Sequence, residues 1–235
     1  MQTDRTLIVI PTYNERENVG PLINALFEVA PQADVLLVDD NSRDGTIAVA
    51  KELFGNDSRF SSLTRAGRRG YGKSLLEAYR VALDRGYAFI VQMDADFSHD
   101  PRMVPAMIEA IHDADLVIGS RYCAGGQVRN WPWHRRLLSR FANLYVSSIT
   151  GLRVRDSTAG FRCWKRPALE HLLSERMNSD GYAFQVEAVY RVALAGLRIV
   201  EIPITFTDRR AGQSKMSGNV ILESVFKPWA LRLGR

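Results

Sequence analysis

Phe89-Ile-Val-Gln-Met-Asp-Ala-Asp-Phe-Ser-His-Asp-Pro101 is the stretch that decides how the chain folds. Its apolar run, Phe89 to Met93, has the length and composition of a buried strand. The run delivers two carboxylates, Asp94 and Asp96, one residue apart. Two such groups just past a buried strand repel each other unless a cation sits with them. An all-oxygen donor set favours a hard divalent ion, Mg²⁺ or Mn²⁺, and Mg²⁺ usually shares its shell with substrate phosphates. A solvated acidic turn closing a strand is the alternative, and the tripeptide alone does not separate the two.

Working outward, β-like and helix-like segments alternate. Thr6 to Pro11 reads as a strand, with a helix over Pro21 to Ala30, where Leu22, Ile23, Leu26 and Val29 form an apolar stripe. Val35 to Val38 is a second strand, ending in Asp39-Asp40-Asn41-Ser42, and Asp44-Gly-Thr46 opens a second helix. A weak strand over Phe60–Thr64 and a helix over Ser74–Leu83 lead to the strand at Phe89. A helix over Pro105–His112 and a strand over Leu116–Gly119 follow. This order predicts an α/β fold with a doubly wound, mostly parallel sheet and flanking helices. Ligands bind such sheets outside the carboxyl ends of the strands. Three strand ends carry acids there: Glu15, the pair Asp39 and Asp40, and the pair Asp94 and Asp96. One competing motif is present. Gly67-Arg-Arg-Gly-Tyr-Gly-Lys73-Ser74 fits the phosphate-binding P-loop pattern of a nucleotide hydrolase using Lys73. The preceding strand is too polar for that motif, and a P-loop leaves Glu15, Asp39 and Asp40 without a role. A glycine-rich basic loop lying near a nucleotide is the milder expectation.

The 235 residues, 46% hydrophobic and 24% charged, suffice for a sizeable core. The net charge of +5 suits an anionic partner but does not by itself point to nucleic acid, and none is expected. Four His and two isolated Cys exclude a Cys/His-rich zinc domain and suggest reduced thiols in the cytoplasm. There is no N-terminal signal pattern and no run of about 18 apolar residues.

Pro11-Thr-Tyr-Asn-Glu15, Val38-Asp-Asp-Asn-Ser42, Asp44-Gly-Thr46, Met93-Asp-Ala-Asp96 and Gly119-Ser-Arg-Tyr122, in this order, resemble a family 2 glycosyltransferase of the GT-A fold. Val128-Arg-Asn-Trp-Pro-Trp133, Asp156-Ser-Thr-Ala-Gly-Phe-Arg162, Gly181-Tyr-Ala-Phe-Gln-Val-Glu187, Ile202 to Arg209 and Ser214-Lys-Met-Ser217 narrow the resemblance to dolichol- or polyprenol-phosphate mannosyltransferases. The resemblance implies one GT-A domain over residues 1–235, with a nucleotide-donor half (1–122), an acceptor half (123–219) and an amphipathic C-terminal segment (220–235). It implies inverting transfer of mannose from GDP-mannose to a polyprenyl phosphate; another sugar, such as glucose, is the alternative within the same fold. Pro11, Tyr13 and Glu15 would line the nucleotide pocket, with Val38 and Asp40 near the guanosine. Asp94, Ala95 and Asp96 would meet the diphosphate and the Mg²⁺ or Mn²⁺, with Asp94 and Asp96 as its ligands. Arg121, Arg209 and Lys215 would complete the donor contacts, and Asp96 and Arg121 would carry catalysis. Some relatives have a metal-holding glutamine where Ser98 stands here.

The chemistry is consistent from below. A departing nucleoside diphosphate needs positive counter-charge. An acceptor phosphate monoester, with a second pKa of about 6, arrives largely ionised and needs no general base. Beyond Trp133 a helix is expected, with Leu137, Leu138, Phe141, Leu144, Tyr145 and Ile149 on an apolar side. Arg135 and Ser139 share a face of it, and the resemblance implies that they meet the lipid phosphate. Trp131 and Trp133 beside clustered arginines suit a membrane interface. The final segment, with Val225, Phe226, Trp229 and Leu233 on or near one face, would lie on a bilayer, pack on the enzyme or lead to membrane helices. In some relatives a membrane-anchoring subunit supplies those helices. The expected location is peripheral, on the cytoplasmic face of the membrane. The loop Arg209 to Gly218 is expected to order over the donor, and Glu187 either orients a basic residue or the donor sugar, or forms a structural ion pair.

Overall fold

The computed structural model describes residues 4–67, 69–177, 179, 181–208 and 218–234. The first half alternates as expected: β1 (Thr6–Thr12), α1 (Arg16–Val29), β2 (Asp34–Asp39), α2 (Thr46–Phe54), β3 (Phe60–Thr64), α3 (Tyr71–Asp84), β4 (Phe89–Gln92), α4 (Val104–Ala110) and β5 (Leu116–Ser120). Then come β6 (Gln127–Arg129), α5 (Trp133–Thr150), β7 (Arg162–Lys165), α6 (Arg166–Ser174), α7 (Gly181–Leu194), β8 (Ile199–Pro203), β9 (Thr205–Thr207) and α8 (Gly218–Arg232).

Seven strands form the central sheet in the order β3-β2-β1-β4-β7-β5-β8, and β6 pairs with β9 separately. All neighbours in the large sheet are parallel except β7, which runs antiparallel to both β4 and β5. The chain order reverses between β1 and β4, so a crevice opens at their carboxyl ends. Alternation of side chains along each strand splits the core into two layers. Leu7, Val9, Leu36, Val38 and Ile90 face one side, and Ile8, Ile10, Val35, Leu37 and Val91 face the other. Both faces are covered by helices, which is why these strands read as near-continuous apolar runs.

Two departures from the sequence-based expectation have local causes. Helix α1 begins at Arg16, ahead of Pro21, because side chains from the β2–α2 turn satisfy its first amides. Glu15 N–H donates to Thr46 Oγ1 (2.9 Å) and Arg16 N–H to Asp44 Oδ2 (3.1 Å). Strand β7 escapes the apolar pattern because Arg162 is fully buried at its start. Its guanidinium donates to the carbonyls of Ala159, Ser157 and Gln185 at 2.9, 3.0 and 2.9 Å. Burial lowers its pKa to about 10, still high enough to keep the charge at neutral pH.

Candidate active site

The turn after β4 forms the floor of a cleft. Met93 N–H still reaches the Val9 carbonyl (3.2 Å), and the chain then leaves the sheet. Asp94 N–H donates to His99 Nδ1 (3.1 Å), and Ser98 N–H donates to Asp96 Oδ1 (3.1 Å), closing a tight turn. Phe97 sits inside that turn at φ 59°, a left-handed conformation that a bulky residue rarely adopts. Such a conformation costs about 1–3 kcal/mol and persists only where the surroundings enforce it. His99 is buried, stacked on Phe161 (centroids 5.1 Å, 19°) and edge-on to Phe206 (5.5 Å). Its Nδ1 accepts an amide proton, so that nitrogen carries none. Burial pushes the imidazole pKa down, against the pull of Asp94 and Asp96, and keeps the ring neutral. The 4.0 Å approach of His99 Nδ1 to Asp94 Oδ2 is therefore not an ion pair.

Asp94 is anchored from α3: the Tyr71 hydroxyl donates to its Oδ1 at 3.1 Å. Burial, reinforced by the Asp94 charge, pushes the Tyr71 phenol well above its ordinary pKa. Gly160 allows the loop before β7 to close on this pair. A Cβ there would lie 3.1 Å from Tyr71 Oη and 3.4 Å from Asp94 Oδ2.

Arg121, following β5, forms a wall. Its Nε and Nη2 donate to the two oxygens of Asp156 (2.7 Å each), its backbone N–H to Asp156 Oδ2 (2.9 Å), and Nη2 also to Thr158 Oγ1 (2.8 Å). Burial would raise the Asp156 carboxyl, but the Arg121 charge and hydrogen bonds outweigh it and hold it below its ordinary pKa. Trp131 and Phe206 pack near the Arg121 guanidinium, 5.7 and 5.5 Å from their ring centroids. Arg135, in the first turn of α5, stacks on Trp131 (4.0 Å) and pairs with both oxygens of Asp208 at 3.2 Å. Asp94, Asp96, Arg121 and Arg135 thus line one cleft, together with Ser98 and Thr158.

The nucleotide-side residues gather at the ends of β1 and β2. Pro11 pairs in register with Val38, which is fully buried and shapes this edge only from beneath. Tyr13 carries Arg69 over its ring (4.2 Å) and at its hydroxyl. Glu15 accepts from Asn18 Nδ2 (2.9 Å). Asp40 is buried and holds the glycine-rich loop: it accepts from Arg65 Nη1 (2.6 Å) and from Gly70 N–H (2.8 Å). Asp39 serves the turn instead, accepting from Ser42 N–H (2.8 Å) and Thr12 Oγ1 (3.2 Å).

These contacts overturn the P-loop alternative. Gly70 N–H, which would face a phosphate, is given to Asp40; Ser74 is buried and donates to Gly70 O (3.1 Å); Lys73 points to solvent. The loop instead leans on Tyr13 and Asp40. Ser139 is half-buried one turn beyond Arg135 and is not among the cleft-lining residues. Arg209 and Lys215, with positions 209–217 of the expected loop, lie outside the described residues. Glu187 is fully buried and pairs with Arg191 (2.7 Å) and Lys227 (3.0 Å). The sequence alone assigns no role to Tyr71, His99, Asp156 or Asp208. Asp156 and Asp208 lie in stretches that carry the family resemblance, whereas Tyr71 carries no signal beyond its place in the glycine-rich loop.

The donor set suits a divalent ion. Among the described residues no cluster of three or more His, Cys, Asp or Glu is present, so Asp94 and Asp96 stand as a pair. That is the sparse, oxygen-only set through which Mg²⁺ or Mn²⁺ is held jointly with substrate phosphates. Beside them, the buried Ser98 Oγ has no hydrogen-bond partner among the described residues, a polar atom facing the cleft and unsatisfied by protein.

An acid-lined cleft at the carboxyl ends of a mostly parallel sheet lies where such folds bind ligands, and the sequence assigns the chain to a family. The sequence profile of glycosyl transferase family 2 matches residues 7–173, and the chain belongs to that family. It is 44% identical over 234 residues to the polyprenol monophosphomannose synthase of Mycolicibacterium smegmatis, covering 98% of this chain and 88% of that protein. It is 42% identical to the undecaprenyl-phosphate mannosyltransferase of Micrococcus luteus, covering 94% and 91%. Among solved structures, glucosyl-3-phosphoglycerate synthase from Mycobacterium tuberculosis, in complex with Mn²⁺, UDP and glucosyl-3-phosphoglycerate, aligns with a TM-score of 0.71 at 17% identity, over 99% of this chain and 81% of that one. A mannosyltransferase from Pyrobaculum calidifontis, in complex with GDP-Man and Mn²⁺, aligns with a TM-score of 0.59 at 17% identity, over 97% and 72%. The structural likenesses support the GT-A fold.

Proposed function

We propose that the chain is an inverting, divalent-metal-dependent mannosyltransferase that moves mannose from GDP-mannose to a polyprenyl phosphate. The observation that carries this is one cleft with two carboxylates on its floor and two arginines on its walls. Its nearly full-length identity with transferases named for polyprenyl-phosphate mannose gives the sugar and the lipid. Asp94 and Asp96 would hold Mg²⁺ or Mn²⁺ together with the donor diphosphate, and the ion when bound would offset the charge that develops on the leaving group. Pro11, Tyr13, Glu15, Val38 and Asp40 form the nucleoside side, Ala95 and Arg121 flank the diphosphate, and Arg209 and Lys215 add to it. Arg135, with Ser139 behind it, receives the acceptor phosphate. An ionised phosphate oxygen attacks the anomeric carbon from the face opposite GDP, the new C–O bond forms, and GDP leaves with the electrons of the old one. No protein base is needed. Arg121, locked by Asp156, opposes the developing charge without reorganising.

The acceptor's location follows from an exposed apolar surface. On α5, Trp133, Leu137, Phe141 and Leu144 are 76%, 61%, 60% and 67% exposed. Val225, Phe226, Trp229 and Leu233 at the C-terminal end are also exposed. The two helices are joined there, with Trp229 Nε1 donating to Tyr145 Oη (3.0 Å) and Tyr145 Oη to the Val225 carbonyl (2.8 Å). Patches of this kind mark interaction surfaces, and the exposed Arg136 and Arg140 on α5 suit anionic headgroups. No helix among the described residues is long and apolar enough to cross a membrane. We read the exposed apolar faces of α5 and α8 as the surface that rests on the bilayer, on its cytoplasmic side, with or without an anchoring subunit.

The test is incubation of pure protein with labelled GDP-mannose or UDP-glucose, a short polyprenyl phosphate and Mg²⁺ or Mn²⁺. Lipid-linked mannose is expected; product from UDP-glucose alone would overturn the sugar assignment. Sedimentation with anionic vesicles, reduced by Phe141→Asp, checks the docking face. Absence of vesicle binding would leave anchoring to a partner subunit.

A further inference from the structure

We infer that Tyr71 is a positioning residue for Asp94, fixing the carboxylate in the orientation from which it meets the metal–diphosphate. The inference rests on the donor site proposed above and deepens it.

Three polar groups converge on the Tyr71 hydroxyl: Asp94 Oδ1 at 3.1 Å, Gln92 Nε2 at 3.2 Å and Gln185 Nε2 at 3.1 Å. A phenol has one proton to give and lone pairs to receive. An ionised carboxylate offers no proton, so the contact with Asp94 is attractive only if Tyr71 donates to it. Its lone pairs must then take the two amide N–H groups. The surroundings agree with this direction. Gln92 Oε1 is already committed to the Tyr79 hydroxyl, which leaves its NH₂ for Tyr71. Gln185 turns its NH₂ to Tyr71 and leaves its own Oε1 buried with no partner among the described residues. That unsatisfied oxygen is what remains when the single phenol proton is reserved for Asp94. The wiring therefore runs one way, from β4 and α7 through Tyr71 to the cleft floor.

Gly160 completes the enclosure, since a Cβ there would crowd both Tyr71 Oη and Asp94 Oδ2. The carboxylate is thus pinned through Oδ1 while 35% of the Asp94 side chain stays exposed to the cleft. Partners that orient a metal-binding carboxylate from behind typically change metal affinity by about 10–100-fold when removed.

The test is titration of Mn²⁺ by electron paramagnetic resonance, in the presence of GDP, on the full chain as wild type, Asp94→Asn, Tyr71→Phe and Gly160→Ala. Tyr71→Phe is expected to weaken Mn²⁺ binding at least about tenfold and to alter the bound-Mn²⁺ spectrum. Gly160→Ala, which keeps the phenol but wedges a methyl against it, is expected to move affinity in the same direction by less, and it stands as the test if Tyr71→Phe does not fold. Lowered thermal stability in both variants with unchanged Mn²⁺ affinity would make Tyr71 merely structural and overturn the inference. If Asp94→Asn itself leaves Mn²⁺ binding unchanged, the donor-site assignment fails and Tyr71 falls with it. If Asp94→Asn weakens binding and Tyr71→Phe does not, only the Tyr71 inference fails.

Discussion

The floor of the cleft and its Arg135 wall are held in opposite ways. Asp94, Asp96 and Arg121 are tied down by bonds from α3, their own turn and the loop before β7. Arg135 is held by a half-exposed ion pair with Asp208, 34% and 33% exposed, and by the face of Trp131. A nucleoside diphosphate diffuses in as a small, uniform ligand, and a rigid electrostatic frame binds it without reorganising. A lipid phosphate arrives from a bilayer, and an exposed arginine on a surface helix has room to adjust. On the proposed assignment, the difference separates a preformed donor site from an acceptor arm that exchanges one anion for another.

The largest expected effect comes from the floor. Asp96→Asn removes the charge but keeps an oxygen that can accept the Ser98 amide, so the fold is retained while transfer falls by about 10³-fold or more, read as labelled lipid product.

Next is Arg121→Ala, which strips the partner from a fully buried carboxylate. An uncompensated buried charge costs about 3–5 kcal/mol, seen in denaturant unfolding, alongside loss of transfer. The pH dependence distinguishes this from loss of packing. In the wild type, Asp156 has a lowered pKa, so its contribution to stability is present above the unfolded value, about 4, and is lost as pH falls through the lower folded value. In Arg121→Ala the guanidinium's charge and bonds are gone, and burial, the largest influence, acts against only the residue-121 N–H and the Thr158 hydroxyl and raises the same pKa. The stability deficit should then be largest near neutrality and shrink as the pH falls toward about 4. A deficit independent of pH would contradict this.

Smaller changes are expected on the acceptor wall. Arg135→Ala should raise the KM for polyprenyl phosphate about tenfold while shifting stability by less than about 1 kcal/mol, because the pair it breaks is half-exposed. Asp208→Asn should lower that KM by up to about fivefold, the equivalent of a weak surface pair. If the two variants instead move the KM for GDP-mannose, the division between the two regions is wrong.

Much of the acid-lined frame was legible in the sequence because it rests on local patterns. Short apolar runs ending in acids mark strands whose carboxyl ends converge, and β1, β2 and β4 do place Glu15, Asp40 and Asp94 at one edge. What stayed hidden depends on contacts distant in sequence. Strand β7 enters between β4 and β5 with a buried Arg162 that no alternation pattern anticipates. Tyr71 reaches Asp94 across 23 positions, and the Asp40 link to Gly70 spans 30. The Gly67–Ser74 motif shows the converse, a pattern correct in spelling whose amide and hydroxyl are used internally.

The most direct measurement is calorimetric titration of GDP into wild type, Asp96→Asn and Lys73→Ala, with and without Mn²⁺. Mn²⁺-dependent binding is predicted for the wild type, lost in Asp96→Asn and unchanged within about twofold in Lys73→Ala, whose exposed side chain lies outside the cleft lining. Binding that ignores Mn²⁺, survives Asp96→Asn and disappears with Lys73→Ala would contradict the account.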